Sequence, residues 1–198
     1  MLRFSGLRAV FVALLVLVVA GCELTPKRNT FGEISFQHLD PIRLNVREVV
    51  IEQAYKSPLE PPNVDHDFPI KPVDASARWA QDRLVAAGAA RTATFVISDA
   101  SVIEVPLEQS GGLTGVLTDE QSERYDAHIE VQLVIRDDRG WEEAKLVAEV
   151  TRTMTLAEDL TLNEREAAWY GMTEKLMADM DARLAKGIGD SFQQYLVR

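Results

Sequence analysis

The longest regular pattern in the chain lies between Tyr125 and Met154. Tyr125, Ala127, Ile129, Val131, Leu133 and Ile135 alternate with Asp126, His128, Glu130, Gln132 and Arg136. Asp137-Asp138-Arg139-Gly140 then supplies turn chemistry, and a second run sets Ala144, Leu146, Ala148, Val150 and Met154 against Glu143, Lys145, Glu149, Thr151 and Thr153. Alternation with a period of two puts each set on its own face of a strand. The pattern therefore predicts a long antiparallel hairpin with one apolar and one polar face. Downstream, Trp169, Met172, Leu176, Met180, Leu184 and Ile188 recur at intervals of three and four residues, the stripe of a helix with one buried side. This helix is expected from about Asn163 to Lys186, with Asn163 and Glu166 at capping-box spacing. Gly187 and Gly189 are expected to interrupt it before a terminal turn bearing Phe192 and Tyr195.

Upstream the patterns are shorter. Ile42, Leu44 and Val46 alternate with polar residues and the phase then flips to Val49 and Ile51, which predicts a strand with a bulge near Arg47-Glu48. Phe31 to Phe36 suggests an edge strand. Five of the eight prolines fall between Ser57 and Pro72, an irregular surface loop. Asp74 is the expected N-cap of a helix to about Ala87, with Gly88 just past its end. Ala77, Ala80, Leu84 and Ala87 share one face of it and Trp79 flanks them. Thr94 to Val105 is a strand with apolar residues in both phases, ended by Pro106, as for a strand covered on both sides. Residues 108–124 form a Gly-containing insertion, with one helical turn capped by Thr118 and Gln121. The expected order is β-α-β-β-β-α, a two-layer α+β sandwich with an antiparallel sheet and two main helices.

The amino terminus belongs to another category. Arg3 and Arg8 precede an unbroken apolar run from Ala9 to Ala20, and Val19-Ala20-Gly21-Cys22 follows with the single cysteine of the chain. Twelve apolar residues fall short of the roughly 20 that span a bilayer. The parts match a secretory signal. The four residues ending in Cys22 resemble the lipobox of bacterial lipoproteins. That resemblance implies cleavage before Cys22 and diacylglycerol on its thiol, an anchor without a spanning helix. The expected organisation is a signal peptide over 1–21, a lipidated tether over 22–30 and a single periplasmic α+β domain over 31–198.

Without residues 1–21 the chain keeps 19 Lys and Arg against 31 Asp and Glu. So anionic a body argues against nucleic acid as a partner. With Cys22 acylated no disulfide is possible, and packing alone must supply stability.

Chemical sites are sparse. Asp65-His66-Asp67 has the side chains of a metal site, which His38 or His128 could join, but its spacing matches no zinc or calcium motif and solvated loop residues are the expectation. Asp99 interrupts an apolar strand, which a bulge or a side-chain bond to nearby backbone explains better than a perturbed carboxylate. His128 falls on the polar strand face and is expected to be exposed. Arg152 sits in an apolar phase, where pairing with an acid is expected. Ser110-Gly111-Gly112 lacks a nucleophile elbow, and Gly115 adds no phosphate loop. Met172, Met177 and Met180 are expected in the core rather than in an adaptable groove. Neither a cofactor nor catalytic residues are expected.

Three stretches, Pro41-Ile42-Arg43-Leu44-Asn45-Val46, Arg78-Trp79-Ala80-Gln81-Asp82-Arg83-Leu84 and Tyr125-Asp126-Ala127-His128-Ile129-Glu130-Val131, stand behind a second resemblance. Over about residues 41–196 the chain resembles the auxiliary lipoproteins of ABC systems that transport lipids, and the YajG-type periplasmic lipoproteins. That implies a non-catalytic accessory protein with an envelope protein or apolar ligand as partner, and Glu130 and Glu149 are the candidate partner contacts. Glu23 after Cys22 favours the outer membrane over the inner. The alternative is a lipid-anchored hydrolase or metal-dependent enzyme, which would need polar groups converging in one pocket.

Overall fold

The computed structural model describes residues 28–107 and 121–197. Cys22, the 1–21 segment, most of the 22–30 tether and residues 108–120, including Thr118, lie outside the described residues. Among those described, no helix is long and apolar enough to cross a membrane.

The strands are β1 (Ile42–Leu44), β2 (Glu48–Gln53), β3 (Leu84–Ala86), β4 (Thr92–Pro106), β5 (Gln121–Arg136) and β6 (Glu142–Ala157); the helices are α1 (Pro72–Arg83) and α2 (Leu162–Ser191). A four-stranded sheet has the order β2-β4-β5-β6, and β1 and β3 form a separate two-stranded sheet. The result is a two-layer α+β sandwich. Strands β4, β5 and β6 pair antiparallel, and β2 joins the edge parallel to β4.

The hairpin follows its sequence pattern. Tyr125, Ala127, Ile129, Val131, Leu133 and Ile135 are all buried, as are Trp169, Met172, Leu176, Met180, Leu184 and Ile188 of α2. Each fully buried leucine or isoleucine contributes on the order of 1.5–3 kcal/mol over its exposed state, so these two interlocking rows dominate the core. At the hairpin turn the Asp137 carboxylate accepts from the Arg139 and Trp141 amides at 2.9 and 2.8 Å, and Gly140 takes the positive φ of 86° that the turn demands.

Several local expectations are corrected. The phase flip near Arg47-Glu48 is no bulge: the chain leaves one sheet after Leu44 and enters the other at Glu48. Helix α1 begins at Pro72 with Lys71 as its N-cap, making no side-chain capping bond, and Asp74 lies within the first turn rather than capping it. Proline at the start needs no amide there. The helix stops at Arg83 because Leu84-Val85-Ala86 pair in parallel with Ile42-Arg43-Leu44 as β3. Gly88 then serves this small sheet rather than a helix end. A Cβ on it would lie 2.4 Å from Asn45 Oδ1 and 2.8 Å from the Val46 amide. Trp79 is fully buried rather than flanking.

Helix α2 is capped by Thr161 and Glu164, not by Asn163 and Glu166: Glu164 N donates to Thr161 Oγ1 at 3.3 Å and Thr161 N to Glu164 Oε2 at 2.9 Å. It also runs through Gly187 and Gly189. A Cβ at Gly187 would approach Leu146 Cδ1 to 2.8 Å, so glycine there lets helix and sheet close up rather than ending the helix. Residues 31–36 form no strand. They strap across the helices instead: Asp82 accepts from the Phe36 amide at 2.8 Å and from Ser35 Oγ at 3.1 Å, and Phe31 stacks on Tyr170 with centroids 5.0 Å apart. Beneath the strap, Asp181 of α2 accepts from Trp79 Nε1 at 2.7 Å and Arg83 Nε at 2.9 Å, which satisfies two buried donors of α1 with one carboxylate.

Candidate functional site

Strand β4 controls what faces outward. Ala93, Phe95 and Ile97 point into the core, yet so do Ala100 and Val102. The register with β5 slips between Ile97 and Asp99, leaving Ser98 as the extra residue. This bulge, not coverage on both sides, explains the two apolar phases. It also moves Asp99 from the core phase to the outer face.

There Asp99 enters a row of acids. Asp99 pairs with Glu130 and Glu130 pairs with Glu149, three carboxylates abreast across β4, β5 and β6. Like charges directly opposite on neighbouring strands repel. His128, in the next row between Ser101 and Thr151, reaches diagonally to relieve them: its Nδ1 lies 3.0 Å from Asp99 Oδ2 and its Nε2 3.1 Å from Glu149 Oε1. Partial burial works against a charged imidazole, but the bonds and charges of Asp99 and Glu149 outweigh it, and the pKa of His128 stands above its ordinary value. When doubly protonated, the ring donates to both carboxylates at once. His128 is thus half-buried and bridged, not the free surface histidine expected. Asp99 Oδ1 accepts from the Ser101 amide at 2.8 Å, the local side-chain bond anticipated for it.

Glu130 and Glu149 fall together on the uncovered face, and Gln132 Nε2 donates to Glu130 Oε1 at 3.1 Å. The face continues through Val96, Gln132 and Val147 to Thr94, Val134 and Lys145, where Val134 is itself buried among its neighbours. What it can do chemically is limited. A general base needs one imidazole nitrogen free to take a proton, and both of those on His128 face carboxylates.

The remaining sites do not converge. Asp65-His66-Asp67 form one 3-10 turn, but Asp65 is buried and accepts from the Tyr55 hydroxyl at 3.0 Å, while Asp67 stays exposed. The buried Asp65 departs from the solvated loop expected, because the Pro-rich segment is stitched to β4: the Val64 amide donates to the Val102 carbonyl at 2.9 Å and the Glu104 amide to that of Pro62 at 2.9 Å. Burial, with Asp65 beside it, raises the pKa of Tyr55 far above its ordinary value. His66 Nε2 is 3.6 Å from Asp67 and its buried Nδ1 has no partner. His38 lines a cleft of about 520 Å³ with Ile34, Phe36, Leu39 and Tyr170, remote in the fold from His128 on the sheet. Among the described residues no group of three or more His, Cys, Asp or Glu is placed to hold a metal ion. Arg152 pairs with Asp179 of α2. Met172, Met177 and Met180 are buried, and the two last present their sulfurs to Ser76 Oγ.

One cluster escaped the sequence reading. Tyr125 donates to Glu123 at 2.6 Å, and Arg165 of α2 bonds both Glu123 and the Tyr125 hydroxyl. Burial raises the Tyr125 pKa; at Glu123 burial is outweighed by the bonds from Tyr125 and Arg165, and its pKa falls. It pins the start of α2 to the sheet. A Glu-x-Tyr spacing on a strand carries no mark of an arginine 40 residues away.

The fold and this face define a two-layer α+β sandwich with an uncovered, acidic sheet surface. No family model matches the chain, and no curated protein matches it. Among solved structures it is similar to a minor lipoprotein of Acinetobacter baumannii, with 11% identity over 78% of this chain and 98% of that one at a TM-score of 0.39. A Xanthomonas campestris protein shows 12% identity over 83% and 96% at 0.42, and the rare lipoprotein B of Shewanella oneidensis 14% over 73% and 98% at 0.36. At these scores the likeness assigns neither family nor function.

Proposed function

We propose that this chain is a lipid-anchored envelope lipoprotein whose domain works by binding a partner rather than by chemistry. The observation that carries the reading is Val19-Ala20-Gly21-Cys22 closing a twelve-residue apolar run, behind the basic Arg3 and Arg8. Two or more acyl chains anchor stably where one does not, so a modified Cys22 suffices to hold the domain at a membrane. The binding role is supported by the Asp99-His128-Glu149 bridge, which occupies both imidazole nitrogens and leaves an uncovered face with no nucleophile beside a free base. The resemblance over residues 41–196 makes an accessory role in lipid transport or surface assembly the first to test, with Glu130 and Glu149 as contacts. Glu23 after Cys22 favours the outer membrane.

Metabolic labelling with a fatty acid tests the anchor. Wild type incorporates label and the Cys22→Ser variant does not. Label that persists in the variant overturns the reading.

A further inference from the structure

We propose that two copies of this chain pair antiparallel along their β6 edges, about a two-fold axis at Val147, to form one eight-stranded sheet. The proposal starts from an unfinished edge. Strand β6 is the last in the order β2-β4-β5-β6, its sixteen residues pair with β5 alone, and among the described residues no loop backbone bonds to it. The Tyr195 hydroxyl meets only the Glu143 carbonyl at its beginning. Sixteen residues at about 3.3 Å each give roughly 50 Å of edge. Natural sheets blunt such edges with proline, short strands or a covering segment. Residues 142–157 contain no proline, and Val147 stands 48% exposed in their middle.

Charge decides which occupant fits. In an antiparallel self-pairing each residue opposes the one equally far across the axis, so the registers centred on the middle of the strand, at residues 145 to 149, can be tested by their pairs. An axis at Lys145 or at Glu149 sets like charges face to face. An axis at Leu146 opposes Glu143 to Glu149. An axis at Ala148 opposes Lys145 to Thr151 and brings no opposite charges together. An axis at Val147 places Val147 against its own copy and Lys145 of each copy against Glu149 of the other. On the opposite face the same register sets Leu146 against Ala148 and Ala144 against Val150. Opposite charges on neighbouring strands attract, and here they do so twice by symmetry. Lys145 has no ion-pair partner among the described residues, so the pairing takes up a free cation. A two-fold contact of this kind closes on itself and uses up the edge. It does not depend on whether Cys22 is acylated.

The full chain purified in mild detergent tests this. Its protein mass by light scattering should be twice that of one chain. Val147→Cys, on the axis, should cross-link to itself on mild oxidation, whereas Thr153→Cys, roughly 40 Å from its own copy in this register, should not. Lys145→Glu should give monomer, and adding Glu149→Lys to it should restore the dimer, which separates pairing from folding. A chain that stays monomeric while folded, a Thr153→Cys that cross-links as fast as Val147→Cys, or a double variant that stays monomeric overturns the proposal.

Discussion

The two faces of the four-stranded sheet are made by the same strands under opposite rules. On the inner face of β5, Tyr125 to Ile135 lie in a closed apolar layer beneath the helices, where position is fixed by volume. One residue away on the outer face, Asp126, His128 and Glu130 meet no covering layer and are arranged by charge and hydrogen bonding. The contrast teaches where tolerance lies. Packing punishes a lost methylene, whereas a polar face answers chiefly to pH and to what is brought against it.

The contrast breaks most plainly in the core. Leu133→Ala or Leu176→Ala should each lower the stability of the domain by about 2–5 kcal/mol, measured by denaturant titration; losses near zero would mean the inner face is not closed. Asp181→Ala comes next. It leaves Trp79 Nε1 and the Arg83 guanidinium without their carboxylate, and a cost of about 1–3 kcal/mol is expected for stranding such buried donors. An unchanged midpoint would show that the two helices do not need this link.

On the outer face the expected signature is a pH dependence. The folded pKa of His128 is raised, so the imidazolium's stabilisation is complete below its unfolded value of about 6.5 and fades as pH rises through the folded one. The stability advantage of wild type over His128→Gln should therefore be larger at pH 5.5 than at pH 8.5. A constant or reversed difference would remove the bridge from the account. Smallest of all is Glu130→Gln. It takes one charge from the Asp99-Glu130-Glu149 row while its amide oxygen still accepts from Gln132, and stability should rise or hold within about 0.5 kcal/mol. A loss above 1 kcal/mol, seen in the same titration, would mark this face as packed rather than open.

What the sequence made legible follows the same division. The hairpin and the α2 stripe span many periods of their patterns, so Tyr125 to Met154 and Trp169 to Ile188 could be placed on the correct faces. Strands β1 and β3 have three residues each, too few to show any period. Residues Leu84 to Ala86 were absorbed into a helix that only tertiary pairing cuts short. The bulge at Ser98 imitates a strand covered on both sides, because both arrangements put apolar residues in both phases. Thr161 and Glu164 had the better capping chemistry, but the Asn163-Glu166 pair at the same spacing competed with them. The acid row with its histidine was out of reach. Its members are 29 and 21 residues apart, and which residues oppose one another depends on that same bulge.

The small sheet adds a matter of timing. A further contact reaches it from the far end of the chain: Leu44 bridges to Leu196, the Asn45 amide donates to the Tyr195 carbonyl at 2.7 Å, and the Val197 amide to that of Arg43 at 2.9 Å. About 150 residues must be made and delivered before these bonds can close, and contacts so distant in sequence form late. A chain emerging amino terminus first thus keeps β1 unfinished until residues 195–197 are free to meet it.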